Sequence, residues 1–210
     1  MFSTARFDYN SRMAYNPSEM IYCVPDREVR RLSLAEPFHP SPPTEATAKL
    51  LGLATFQIRS RVEEDERWRQ IIPYVVTRHN GRVLLLERLS SQGESRLHNL
   101  LSIGVGGHVN PSDSVNGGRN IVENAMWREM KEELDFEGKP EFDLRGIINF
   151  RGDPVARVHL GFAYIADFAS QPKIRETDKM TGAFVTSAQL PSYYDRMEGW
   201  SRVLIDHLEL

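Results

Sequence analysis

Arg128-Glu129-Met130-Lys131-Glu132-Glu133-Leu134-Asp135-Phe136 is the stretch on which the reading of this chain turns. Its three glutamates are spaced so that, on a helix, Glu129 lies beside both Glu132 and Glu133. Like charges so placed repel by roughly 0.2–0.5 kcal/mol per pair on an exposed helix. Glu132 and Glu133 splay by about 100° round the axis. A hard divalent cation turns that repulsion into attraction, and Mg²⁺ takes carboxylate oxygens together with substrate phosphates. Read alone, the run is better taken as a solvated charged face, with Arg128 pairing Glu132 one turn on. What precedes it decides between the two.

Apolar residues recur at helical spacing over residues 121–134: Ile121, Val122, Ala125, Met126, Met130 and Leu134. Before them comes a polar stretch, residues 110–119. Before that, a short apolar run over 100–105 ends in Gly104-Val105-Gly106-Gly107. Glycines let the backbone approach a ligand closely and expose its carbonyl and N–H groups. A strand entering paired glycines ahead of an acidic helix favours a metal-binding segment.

Further outward, Ile71-Ile72-Pro73-Tyr74-Val75-Val76 and Val83-Leu84-Leu85-Leu86 flank Asn80-Gly81, which predicts a hairpin. Pro73 predicts an edge position or a strand end. Residues 89–99 predict a loop. Strands are expected near 142–150 and 158–168, with Arg151-Gly152-Asp153-Pro154 turning the chain between them. A last strand is expected at Ala183-Phe184-Val185, and helices near 187–194 and 198–208. The class is therefore α/β: a mixed sheet with helices packed on it.

Toward the N-terminus, residues 20–24 predict a short strand. Residues 36–43, with four prolines, predict a rigid non-helical connector. Residues 44–57 have helical composition, with Thr44 as N-cap. Residues 1–65 are thus expected to be an extension packed on a main domain of 66–210. The extension is a candidate homodimer interface or cover for a sheet edge. The 210 residues suit one domain with such an extension. A hydrophobic share of 40% against 26% charged supports a normal core. A net charge of −3 argues against a nucleic-acid polymer or anionic membrane as partner. Cys23 is the only cysteine, which excludes an internal disulfide or thiolate zinc site. With no signal-peptide pattern and no spanning stretch, a soluble cytoplasmic location is expected.

Together, the glycines and the acidic helix resemble the Nudix box. That family's pattern is a glycine, five residues, a glutamate, seven residues, then Arg-Glu-apolar-x-Glu-Glu-x-Gly-apolar. Residues 128–136 match its second half at every position but one, where Asp135 stands for the glycine. Gly107 matches the first glycine, and Asp113 stands where glutamate is usual. About seven extra residues within 114–123 lengthen the connection to the helix, and Glu123 is a substitute should Asp113 not reach. Asp135 is expected to keep the helix-ending turn in the left-handed conformation, with some strain. Residues 70–110 are also similar to a MutT-like predicted-phosphoesterase subgroup.

The resemblance implies a Nudix fold over about 66–210 and a hydrolase that cleaves a phosphoanhydride, a nucleoside diphosphate linked to X. It implies Mg²⁺ or Mn²⁺ held by Glu129, Glu132, Glu133 and the carbonyl of Gly106. It gives Glu129, Glu132 and Arg128 catalytic roles. Gly107, His108, Arg88 and Arg151 are candidate contacts to a nucleotide-like diphosphate, as is Arg96. Glu176 and Asp178 are candidates for a base or ligand from a later loop. Tyr74 and Phe150 are expected in the core rather than stacked on a base. The competing reading is a catalytically weak Nudix-fold protein that binds a nucleotide or regulates. A prenyl-diphosphate isomerase shares the fold but is linked to a catalytic cysteine, and Cys23 lies far upstream.

Overall fold

The computed structural model describes residues 16–40, 44–89, 100–114 and 120–210. In chain order these form β1 (Met20–Pro25), α1 (Asp26–Arg31), β2 (Phe38–Pro40), α2 (Thr44–Leu53), β3 (Thr55–Ile58), α3 (Arg59–Val62), β4 (Trp68–His79), β5 (Arg82–Arg88), β6 (Leu101–Ser102) and β7 (Gly104–Gly106). A 3₁₀ turn, Pro111–Ser114, precedes α4 (Ile121–Glu133) and β8 (Leu134–Asp135). Then come β9 (Glu141–Ile148), α5 (Pro154–Val158), β10 (His159–Phe168), β11 (Lys173–Ile174) and β12 (Met180–Thr186). A 3₁₀ segment, Ser187–Arg196, and α6 (Gly199–His207) close the chain.

The main sheet is mixed and runs β12-β5-β4-β10-β9-β2. Its centre is the parallel pair β4 and β10, in register from Gln70–His159 to His79–Phe168. Both faces of this centre are covered, which is why its strands read as continuous apolar runs rather than alternating ones. Alternation appears in which layer each residue joins. Ile71 and Val75 of β4 and Leu84 and Leu86 of β5 pack with Val122, Met126 and Met130 of α4. Tyr74, Val76, Val83 and Leu85 pack on the other face with Leu190, Met197, Val203 and Leu204. At 25 cal/mol per Å², each fully buried aliphatic side chain contributes about 1.5–3 kcal/mol, so the two layers hold the helices to the sheet.

The hairpin turn is formed by Asn80 and Gly81, with φ of 49° and 70°. Two successive positive φ angles match the strand twist as a type I′ turn does. Pro73 corrects the expectation of an edge, since it lies inside the central strand. The far edge of β4 is shared end to end: β1 pairs with Trp68–Gln70, and β7 with Tyr74–Val76. Pro73 falls in the gap, and its carbonyl faces Gly106, so the missing N–H on that edge costs no ladder bond.

Other expectations are corrected or extended. The helix from Thr44 stops at Leu53, and Thr55–Ile58 form β3 against β1. Thr55-Phe56-Gln57-Ile58 is β-branched and aromatic, and pairing overrides the helical composition before it. The proline connector contributes β2 to the sheet edge beside β9. Asp135 does not adopt the left-handed conformation. Leu134, at φ −123° and ψ 143°, already leaves the helix extended, and the chain runs straight into β8. The short α5, capped by the Asp153 side chain on the Ala156 N–H at 2.7 Å, occupies what reads as a simple turn.

Candidate active site

Asn120 starts α4 by accepting the Val122 N–H at 3.1 Å. Val122, Ala125, Met126 and Met130 turn one face into the sheet. Glu129 and Glu133 lie on the margin of that face and are carried in with it, only 7% and 5% exposed. Glu132 stays half-exposed beside them.

Buried carboxylates are costly without partners, and Arg128 supplies one. Its Nη1 donates to Glu129 Oε1 at 2.6 Å and lies 3.5 Å from Glu132 Oε2. Its Nε and Nη2 each donate at 2.9 Å to the two oxygens of Asp113. Nη2 also donates to the His108 carbonyl at 2.7 Å. Asp113 is itself buried in the 3₁₀ turn, where it accepts the Asn110 N–H at 2.7 Å. Asp113 therefore reaches Arg128. The extra residues follow Asp113, so they lengthen the path to the helix and leave the spacing from Gly107 to Asp113 intact. Residues 115–119, the middle of that insertion, lie outside the described residues. Glu123 is exposed in the first turn of α4.

The paired glycines now have separate reasons. A Cβ on Gly107 would stand 2.4–2.5 Å from the Glu129 carboxyl atoms. A Cβ on Gly106 would stand 2.1 Å from the Pro73 carbonyl oxygen. Only a bare backbone fits between β4 and the glutamate.

Burial pushes the Glu129 carboxyl up to about 7, against the pull of Arg128. Burial also raises Glu132, with Arg128 opposing and the charge of Glu176 adding to the rise. Arg128 is held above its ordinary range by Asp113 and Glu129, even though burial works the other way.

Glu176 joins the cluster from the later loop. Arg175 N–H donates to the Glu133 carbonyl at 2.8 Å, which ties the loop to the end of α4. Lys179 Nζ holds one Glu176 oxygen at 2.8 Å, and the other oxygen is buried with no hydrogen-bond partner among the described residues. Asp178 is exposed on the same turn.

The structure does not bring all of the expected phosphate contacts together. The His108 ring points inward, with Nε2 2.7 Å from Gln70 Oε1. Burial, then the charges of Arg59, His159 and Arg128, push its pKa well below the ordinary value, which favours the uncharged ring. Its contribution to the cluster is the carbonyl that accepts from Arg128. Arg151 is engaged elsewhere, at 2.9 Å from Glu36 and 2.8 Å from Asp26. Arg88 ends β5 opposite Met180; its side chain, and all of Arg96, lie outside the described residues. Tyr74 is in the core, its hydroxyl donating to the buried Glu198 at 2.6 Å. Phe150 packs against Gly152 and Gly199. Gln70, which fixes His108 and also donates to the Val62 carbonyl at 3.3 Å, was not singled out from the sequence. The pairing spans 38 residues, and nothing local announces it.

Among the described residues, no three His, Cys, Asp or Glu side chains already converge as a metal-ligand set. The donors present nevertheless suit a hard cation. They are all oxygens, they border one helix end, and the buried Glu176 oxygen lacks a partner.

No family model matches the chain. It is 36% identical to Protein YmaB of Bacillus subtilis over 157 residues, covering 72% of this chain and 76% of that protein. Tm1382, a protein provisionally assigned as a Nudix hydrolase, superposes with a TM-score of 0.77 at 29% identity, covering 90% of this chain and all of that one. The Nudix domain of Shewanella oneidensis NrtR, solved with ADP ribose, superposes at 0.51 with 14% identity, over 66% of this chain and 84% of that one. At that identity it speaks for the fold alone.

Proposed function

The chain belongs to the Nudix superfamily, and from that membership we propose that it hydrolyses the phosphoanhydride of a nucleoside diphosphate linked to X. The observation that carries this reading is the arrangement made by Arg128, which binds Asp113, Glu129 and the His108 carbonyl at once. That one guanidinium fixes both the glycine loop and the acidic helix. The side chains of Glu129, Glu132 and Glu133 and the carbonyl of Gly106 would hold Mg²⁺ or Mn²⁺. When bound, the cation neutralises charge on the diphosphate and makes water more acidic.

The chain's own groups then have distinct tasks. Arg128 orients Glu129 through a charge-assisted hydrogen bond. Gly106 and Gly107 let the backbone pass close beside the Glu129 carboxyl, which sets the glutamate against the loop. Glu176 takes the proton from the attacking water, because a base needs an uncommitted oxygen. One Glu176 oxygen is buried without a partner among the described residues, while Lys179 holds the other oxygen in place. The water oxygen forms a bond to phosphorus as the bridging P–O bond breaks, and two phosphate monoesters leave.

The test is a substrate screen of the purified full chain with Mg²⁺ or Mn²⁺. ADP-ribose goes first, because a fold relative was solved with it. Nucleotide sugars, dinucleoside polyphosphates, NADH and nucleoside triphosphates follow. Cleavage that is lost in Glu132→Gln and Glu133→Gln supports the reading. Cleavage that persists in both moves the site elsewhere. Tight nucleotide binding with no cleavage identifies a binding or regulatory protein instead.

A further inference from the structure

The outer face of α4 carries a feature that the hydrolytic site does not use. A cavity of about 440 Å³ lies between this face, the turn after β8 and the start of the Glu176 loop. Trp127, Lys131, Phe136, Lys139 and Arg175 line it. Trp127 and Lys131 precede and follow Glu129 by two residues, which places both about 160–200° round the helix from it. The cavity therefore faces away from the carboxylates.

Two properties define what it can hold. Its wall is aromatic and fixed: Trp127 packs edge-on against Phe142 at 4.8 Å and lies 6.4 Å from Phe136. Phe136 is fixed in turn by an edge contact to Phe168 at 5.0 Å. Its rim is cationic. Lys131 Nζ stands 5.6 Å over the Trp127 ring, and among the described residues neither Lys131 nor Lys139 makes an ion pair. Arg175 reaches Asp135 only at 3.5 Å, with both side chains largely exposed. Lys131, Lys139 and Arg175 thus set three cations on this rim of a chain of net charge −3, with Asp135 within reach of Arg175.

We propose that this cavity is a second ligand site, for an aromatic ring that bears phosphate: a nucleoside phosphate bound without a metal ion. The ring takes the place of the Lys131 ammonium over Trp127, beside Phe136, and Lys131 turns outward to the phosphate. The phosphate is met by Lys131, Lys139 and Arg175. A ligand gripping the Arg175 side chain also acts on the loop that presents Glu176, because the Arg175 backbone is already tied to the last residue of α4.

The experiment titrates ADP, and separately inorganic phosphate, into the full chain in EDTA. Tryptophan fluorescence and calorimetry are read, and circular dichroism is recorded for each variant. ADP should saturate with a Kd below about 1 mM and at least about tenfold tighter than phosphate. Lys131→Glu with Lys139→Glu should weaken ADP at least tenfold, Trp127→Phe should remove most of the fluorescence change, and Glu132→Gln should alter neither. The proposal is overturned by any one of three results: no saturation, equal affinity for phosphate, or binding that survives the double charge reversal in a folded chain. Because no hydrolysis is measured and no divalent cation is present, failure here leaves the catalytic reading untouched.

Discussion

Asp113 and Arg128 meet as a two-pronged fork, with both nitrogen–oxygen distances at 2.9 Å, across an insertion that separates them in sequence. The carboxylate is 4% exposed and the guanidinium 24%. Breaking such a buried pair on one side strands the other charge, at about 3–5 kcal/mol, and the partial exposure of Arg128 places the cost near the lower end. Asp113→Asn should cost about 3 kcal/mol in urea unfolding. Combined with Arg128→Met, it should cost clearly less than the sum of the single changes, by more than about 1 kcal/mol. Strict additivity would mean that the fork contributes nothing.

Gly107→Ala tests the close approach of backbone to Glu129. The new methyl would overlap the carboxyl, and the glutamate would have to move. Displacement of about 1 Å in a reacting group costs on the order of 10²-fold in rate. The expected result is that loss in kcat/KM on whichever phosphoanhydride the screen identifies, with a native far-UV spectrum. Undiminished activity would show that Glu129 is not positioned by this contact.

Glu129 gives the metal-free protein a signed pH dependence. Burial raises its folded-state pKa from 4.5 to about 7, so between those values the folded chain holds a proton that the unfolded chain releases. Stability should therefore fall as pH rises through this window, by about 2–3 kcal/mol in EDTA. Glu129→Gln should flatten the slope, as measured by urea unfolding at a series of pH values. A slope of the opposite sign would contradict the burial of this carboxyl.

Glu176→Gln keeps the shape of the side chain but removes the proton acceptor. The expected loss is about 10²–10⁴-fold in kcat with little change in KM. A change confined to KM would make Glu176 a substrate or cation contact instead.

Cys23 is buried within β1, and burial pushes its thiol up to about 12. Reaction with a disulfide reagent needs the thiolate. At pH 8 the native chain should show no reactive thiol, and one equivalent should appear in concentrated guanidinium. Rapid labelling of the native chain would show that β1 opens.

Some of this was legible in the sequence because it is local. The helical period places α4 within a residue of its observed end, and Asn80-Gly81 specifies the hairpin. Other features depend on partners distant in the chain. Thr55–Ile58 becomes a strand because β1 is there to pair with it. Pro73 is tolerated in the central strand because two neighbours share one edge and leave a gap. Arg151 looks like a phosphate ligand until Asp26 and Glu36 are folded against it. Asp113 looks displaced when residues are counted to the helix, yet it is correctly placed when they are counted from Gly107. The motif gives the chemistry of the cluster, and the tertiary contacts decide which of the remaining charges serve it.

The central pair of strands also dictates how the molecule must assemble. The turn at Asn80–Gly81 closes locally, but β4 meets β10 only across a separation of 89 positions, as in Gln70 opposite His159. Pairing across so long a separation loses chain entropy before any contact repays it, so folding should be slow, on the millisecond-to-second scale. Until β10 arrives, the apolar centre of the sheet has an open flank. Newly made chains are then vulnerable to edge-to-edge association, and expression at reduced temperature should raise the soluble yield.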